Sequence, residues 1–69
     1  MKYTKQQLLG AVFEWPSGKY VVVDYGKDEV QLMHRMSGEF FVYYNVARLN
    51  TCLKWLIEIP NKTLQYEIY

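Results

Sequence analysis

His34 and Cys52 are the two side chains best suited to act as general base and nucleophile, and each residue type occurs once in the chain. A working pair would need hydrogen-bond reach and a third group to orient the base. Cys52 falls in the middle of an amphipathic segment, away from any helix N-terminus that would lower its pKa. His34 falls in a run of strand-forming residues among apolar neighbours. Both read as structural. Glu14 and Asp24 stand alone in strand-like segments, whereas acid–base catalysis usually sets two carboxyl groups in one cleft with separated pKa values. Structural zinc takes about four ligands, more than His34 and Cys52 supply. A lone cysteine cannot form a disulfide within its own chain. The four glycines stand at turns and element ends and not in a phosphate-cradling loop. The expectation is no catalytic residue, no metal and no cofactor.

Binding is the chemistry that remains. Seven tyrosines, three phenylalanines and two tryptophans sit among 69 residues. Tyr and Trp are favoured at interfaces because they bury large area while keeping a polar atom wet. Formal net charge is +1, with eight basic and seven acidic residues spread along the chain. Nucleic-acid binding by counterion release draws on clustered cations, so single-stranded nucleic acid is the less favoured partner and a protein the favoured one. No stretch nears the roughly 20 apolar residues that span a bilayer. The start of the chain shows no signal peptide, so cytoplasmic residence is expected, in a bacterium, its virus or a eukaryotic cell.

The elements that must position these aromatic residues are punctuated by clear turn signals. Thr4 with Gln7 forms a capping box, with Tyr3 and Leu8 as a staple, for a short helical turn over 5–9 that ends at Gly10. Four strands follow, at Ala11–Trp15, Tyr20–Tyr25, Glu29–Met36 and Glu39–Tyr44, separated by short turns rich in Gly, Pro, Ser and Asp. Short loops imply antiparallel neighbours. Val46, Leu49, Leu53, Leu56 and Ile57 then share a stripe at helical spacing, with Cys52 at its edge. Asn45 as cap and Pro60 as stop bound a helix over about 46–58. Leu64, Tyr66 and Ile68 alternate with polar or aromatic residues as a last strand.

This order describes an α+β domain over 1–69: a strongly bent antiparallel meander of about five strands, SH3-like or small-barrel-like, with one amphipathic helix between strands four and five. A Ser37-Gly38 turn pairs Arg35 with Phe40 and His34 with Phe41. The Pro16–Lys19 connection pairs Trp15 with Tyr20, and a Lys27-Asp28 turn pairs Val22 with Met33. One face then carries Val12, Val21, Val23, Tyr25, Val30, Leu32, Met36, Phe41 and Tyr43. The other carries Phe13, Trp15, Tyr20, Val22, Met33, Phe40, Val42 and Tyr44, with Arg35 beside them.

Both faces are apolar, and one helix covers one face. The surplus face is closed by curling into a barrel, by a second copy of the chain, or by another macromolecule. Large exposed apolar patches mark such contacts. Trp55 falls off the helical stripe, near the azimuth of Arg48, as a solvent-facing pair. The residues expected to carry binding are Trp15, Tyr20, Met33, Arg35, Phe40, Tyr44, Arg48 and Trp55. The expected function is a non-catalytic protein-interaction module that self-associates and acts as an inhibitor or adaptor of the kind bacterial viruses carry. A single-stranded nucleic-acid-binding small barrel is the alternative.

Overall fold

The computed structural model describes residues 2–60, with Phe41 and Val42 described by backbone alone. Its elements run α1 (Lys5–Leu8), β1 (Val12–Trp15), β2 (Gly18–Asp24), β3 (Glu29–His34), β4 (Phe40–Asn45), α2 (Val46–Leu49), a single 3-10 turn (Leu53–Trp55) and β5 (Leu56–Glu58). The five strands make one antiparallel sheet in the order β4-β3-β2-β1-β5. Among the described residues it is an open sheet, with β4 and β5 at its two edges and no barrel closure.

The N-terminal turn forms as its sequence dictates. Gln7 donates its backbone N–H to Thr4 Oγ1, and the Thr4 N–H donates to Gln7 Oε1, so two orphan donors are satisfied reciprocally. Gly10, at φ +84°, then turns the chain into β1 and donates its N–H to Val22 O. Strands β2 and β3 are rich in β-branched and aliphatic residues that suit a pleated surface, and both alternate between buried and more accessible positions.

The segment after β4 departs from the expected helix over 46–58. Asn45 caps it, accepting from the Arg48 N–H at 2.7 Å, but α2 ends at Leu49. Asn50 and Thr51 turn their side chains back on the helix: Asn50 Nδ2 donates to Val46 O and Thr51 Oγ1 to Arg48 O. Such side-chain bonds compete with helical continuation. Asn50 also exchanges two hydrogen bonds with the backbone of Tyr3, which ties the N-terminus to α2. Leu56, Ile57 and Glu58 then add a strand to β1, with Phe13 opposite Leu56 and Val12 opposite Glu58 across a bulge. The strand expected over 64–69 lies outside the described residues.

The core forms where α1, Ala11, α2 and the 3-10 turn lie on one side of the sheet. Leu8, Ala11, Phe13, Tyr20, Val22, Val30, Leu32 and Leu49 are buried in one cluster. Trp15, Tyr44, Val46, Cys52, Trp55 and Leu56 pack around it. Fully burying a side chain such as Phe13 or Leu49 contributes about 1.5–3 kcal/mol. No buried side-chain polar atom among the described residues lacks a partner.

Candidate functional site

Strand register decides which aromatic residues share a face. Phe13 pairs with Tyr20 and Trp15 with Gly18, so Pro16-Ser17 alone close the first hairpin. The expected pairing of Trp15 with Tyr20 is off by two positions, which leaves the faces unchanged because side chains alternate with period two. The middle hairpin differs by one position. Val22 faces Leu32, not Met33, and Tyr20 faces His34. That single step exchanges every side chain of β3 between faces. In the third hairpin Val30 pairs with Tyr44 and Gln31 with Tyr43, while Met33 pairs with Phe40 in place of Arg35. The bulge between these pairs places one extra residue on β4 and brings Phe40 and Tyr43 onto one face.

The residues expected to act together are therefore divided between two sides. Trp15, Tyr20 and Tyr44 lie on the covered side. Tyr20 is buried, Trp15 and Tyr44 are half-buried, and their rings contact one another: Trp15 meets Tyr20 edge-on at 5.7 Å and Tyr44 at 6.5 Å. Phe13 stacks on Trp15 at 5.3 Å. This is a packed aromatic core, and it removes Tyr20 from any stacking surface for bases. Arg48 lies over the Tyr44 ring, 4.7 Å from its centroid. Trp55 packs half-buried against the core with Lys54 over its ring. Because α2 ends at Leu49, Arg48 and Trp55 do not share a helix face.

Met33 and Phe40 fall on the opposite side, with Val21, Val23, Gln31 and Tyr43, and Arg35 follows β3 level with Lys19, to whose carbonyl it donates its N–H. Tyr25, which follows β2, joins them by stacking on Tyr43 at 4.9 Å and 13° between ring planes. Tyr25, Phe40 and Tyr43 are each 54% exposed, and Val21, Val23 and Met33 are partly accessible. Val12, level with Val21, is only 4% exposed, so the β1 end of this face is closed and the β3–β4 end is open. The sequence reading misses Tyr25 and Tyr43 as members of the accessible group. Their grouping with Val21 and Val23 is as expected; what differs is that the core forms on the Phe13–Tyr44 side, and that the five-residue turn between Asp24 and Val30 moves Met33 to this face.

Charges frame the outer face. Lys19 pairs with Glu14 in register, and Arg35 continues the ladder by donating its N–H to Lys19 O. Glu29, opposite Asn45, closes the other end of β3. Lys5–Asp24, at 2.6 Å, is the sole ion pair among the described residues and lies at the turn before β3. The Lys5 ammonium, hydrogen-bonded to the carboxylate, holds the Asp24 pKa below the ordinary aspartate value, and it also donates to Gly26 O.

His34 and Cys52 occupy different surroundings. His34 Nδ1 accepts from the Ser37 N–H at 3.3 Å and contacts Ser37 Oγ at 3.2 Å, and its ring meets Tyr20 edge-on. It borders an open groove at the tips of two hairpins with Ser17, Gly18, Lys19, Arg35 and Met36. Cys52 precedes the 3-10 turn without a side-chain cap bond, and its Sγ lies 3.8 Å from Thr51 Oγ1. Among the described residues, no group of three or more His, Cys, Asp or Glu is placed to hold a metal ion, and no helix is long and apolar enough to cross a membrane. Comparison with known protein families, with curated proteins and with solved structures produced no match to this chain.

Proposed function

We propose that this chain is a non-catalytic protein-interaction module that self-associates through the outer face of its sheet, and that it serves as an inhibitor or adaptor. The open aromatic and aliphatic patch of Val21, Val23, Tyr25, Met33, Phe40 and Tyr43, opposite a fully furnished core, carries this reading. Apolar patches of several hundred Å² on small proteins mark contact surfaces. Tyr and Phe there supply large rigid area at low entropic cost. A second copy is the occupant that fits, because Arg35 and Glu29 stand at opposite ends of the face and complement one another in an antiparallel pair. A nucleic-acid strand fits less well: Glu14 and Glu29 share the face with Lys19 and Arg35, and the buried Tyr20 offers no stacking platform.

The test is the solution mass of the wild-type chain against Phe40→Asp and Tyr43→Asp. Wild type is expected to self-associate, and each variant to stay folded and run as an 8.3 kDa monomer. A wild-type chain that remains monomeric at high micromolar concentration rejects self-association. Capture of a labelled single strand at low salt, lost as salt rises, would favour the nucleic-acid reading instead.

A further inference from the structure

Resting on the docking reading above, we infer that the second copy sits on the outer face in a two-fold arrangement that lays each strand antiparallel over its own counterpart, with Arg35 of one copy against Glu29 of the other. The strand register carries this geometry. The pairs Val22–Leu32, Val21–Met33 and Val23–Gln31 set the levels across β2 and β3. Phe40 lies level with Met33, and Tyr43 level with Gln31, on β4. An axis crossing the strands at the level of Val22 and Leu32 exchanges the levels above and below it. Along β3 and the residue that continues it, the axis brings Arg35 to Glu29, six residues or roughly 20 Å apart. On β2 it brings Val21 to Val23 and Lys19 to Tyr25, and on β4 Phe40 to Tyr43.

Each of these matches is chemically favourable. Guanidinium meets carboxylate, ammonium meets a tyrosine ring, valine meets valine, and ring meets ring. Met33 over Gln31 is the one mixed contact. An isologous interface demands this property: if position i touches j, then j touches i. The valines of β2 let two sheets approach to the roughly 10 Å of face-to-face packing. Neither Arg35 nor Glu29 has an ion-pair partner among the described residues, and the Glu29 carboxylate lies beside the open turn at Gly26. The charged residues near the two ends are Glu14, Lys19 and Glu39 at the Arg35 end, and Lys27, Asp28 and the Lys5–Asp24 pair, whose ammonium bonds Gly26 O, at the Glu29 end. The patch is small, so the dimer is expected to be of micromolar strength, at the low end of specific interfaces.

Charge reversal tests the arrangement by sedimentation equilibrium. Arg35→Glu and Glu29→Arg each set like charges together and are expected to weaken self-association about tenfold. An equimolar mixture of the two variants restores opposite charges at both ends of the mixed dimer. At one end the carboxylate introduced at position 35 meets the guanidinium introduced at position 29, and at the other the unaltered Arg35 meets the unaltered Glu29. The mixture, and the doubly reversed chain, are expected to recover wild-type affinity. Self-association that is abolished by Phe40→Asp but indifferent to both reversals, or not recovered on mixing, overturns the two-fold geometry and leaves the docking face standing. A monomeric wild type overturns both. Circular dichroism of each variant establishes that it is folded, as expected for side chains at the ends of β3 and outside the core.

Discussion

The two sides of the sheet both carry valines and aromatic rings and meet different fates. On the covered side Phe13, Val22 and Val30 are essentially inaccessible beneath Leu8, Ala11 and Leu49. On the outer side Val21, Val23 and Met33 are partly open, and Tyr25, Phe40 and Tyr43 are about half open. Hydropathy separates them in part, since Glu14, Lys19, Glu29 and Gln31 fall among the apolar residues of the outer side. What distinguishes them is the supply of covering elements: the two short helical pieces and the 3-10 turn all pack on one side. Among the described residues, an apolar face becomes core where helical elements pack on it and stays partly open where they do not.

The largest break in this comparison is expected from truncating one aromatic ring on each side. Phe13→Ala removes a fully buried ring, costing about 3–5 kcal/mol. A domain of this size holds only about 3–5 kcal/mol in reserve, so thermal or urea unfolding should find the variant largely unfolded at room temperature. Phe40→Ala should move the urea midpoint little and act on self-association instead. Equal losses of stability would erase the distinction between the faces.

Next in size is Gly18→Ala. A Cβ at Gly18, where φ is +139°, would lie 2.6 Å from His34 Nε2. Backbone strain together with this clash is expected to cost about 1–3 kcal/mol, read as a lowered melting temperature. Adding His34→Ala should return part of that loss, since it removes the clash and leaves the backbone strain. A double variant whose losses simply add would show that the ring is not what Gly18 accommodates.

A smaller effect sharpens the covered side. Thr4→Ala deletes the capping box of α1 and should cost about 1 kcal/mol, since this turn presents Leu8 to the core. Chemical denaturation with an unchanged m-value would report it. The smallest effect concerns Lys5–Asp24. The folded Asp24 pKa lies below its unfolded value, so the stabilisation is present above the unfolded pKa and is lost as pH falls through the folded one. Proton titration of the Asp24 carboxyl by NMR should show the depressed value, and Lys5→Met should return it to the ordinary aspartate range. An unchanged titration would assign the shift to another cause.

Much of the fold is legible in local chemistry. Thr4 and Gln7 announce the first turn, and Gly, Pro and Asp residues announce the hairpins, because each such residue satisfies a specific backbone requirement nearby. The β3 register is not legible. Its parity depends on how many residues the Tyr25–Glu29 turn takes up, and a difference of one exchanges the faces. For that reason the sequence alone groups Met33 and Phe40 with Tyr20 and Tyr44; it places Tyr25 and Tyr43 with Val21 and Val23 correctly, and omits them from the binding set because it takes the Phe13–Tyr44 side as the surplus face. The long helix over 46–58 fails for a similar reason. Val46, Leu49, Leu53, Leu56 and Ile57 fit a helical stripe, but Asn50 is engaged with Tyr3 at the far end of the chain. The open edge of β1 accepts Leu56–Glu58. Contacts so distant in sequence leave no local signal.

The most direct test is the protection of the outer face in solution, read as a concentration-dependent sedimentation mass alongside amide hydrogen exchange. The account predicts that the mass rises towards twice 8.3 kDa as concentration increases, that slowed exchange spreads over Tyr25, Phe40 and Tyr43, and that Phe40→Asp cancels both while staying folded. A mass fixed at the monomer value throughout, with exchange at these residues indifferent to concentration, would contradict it.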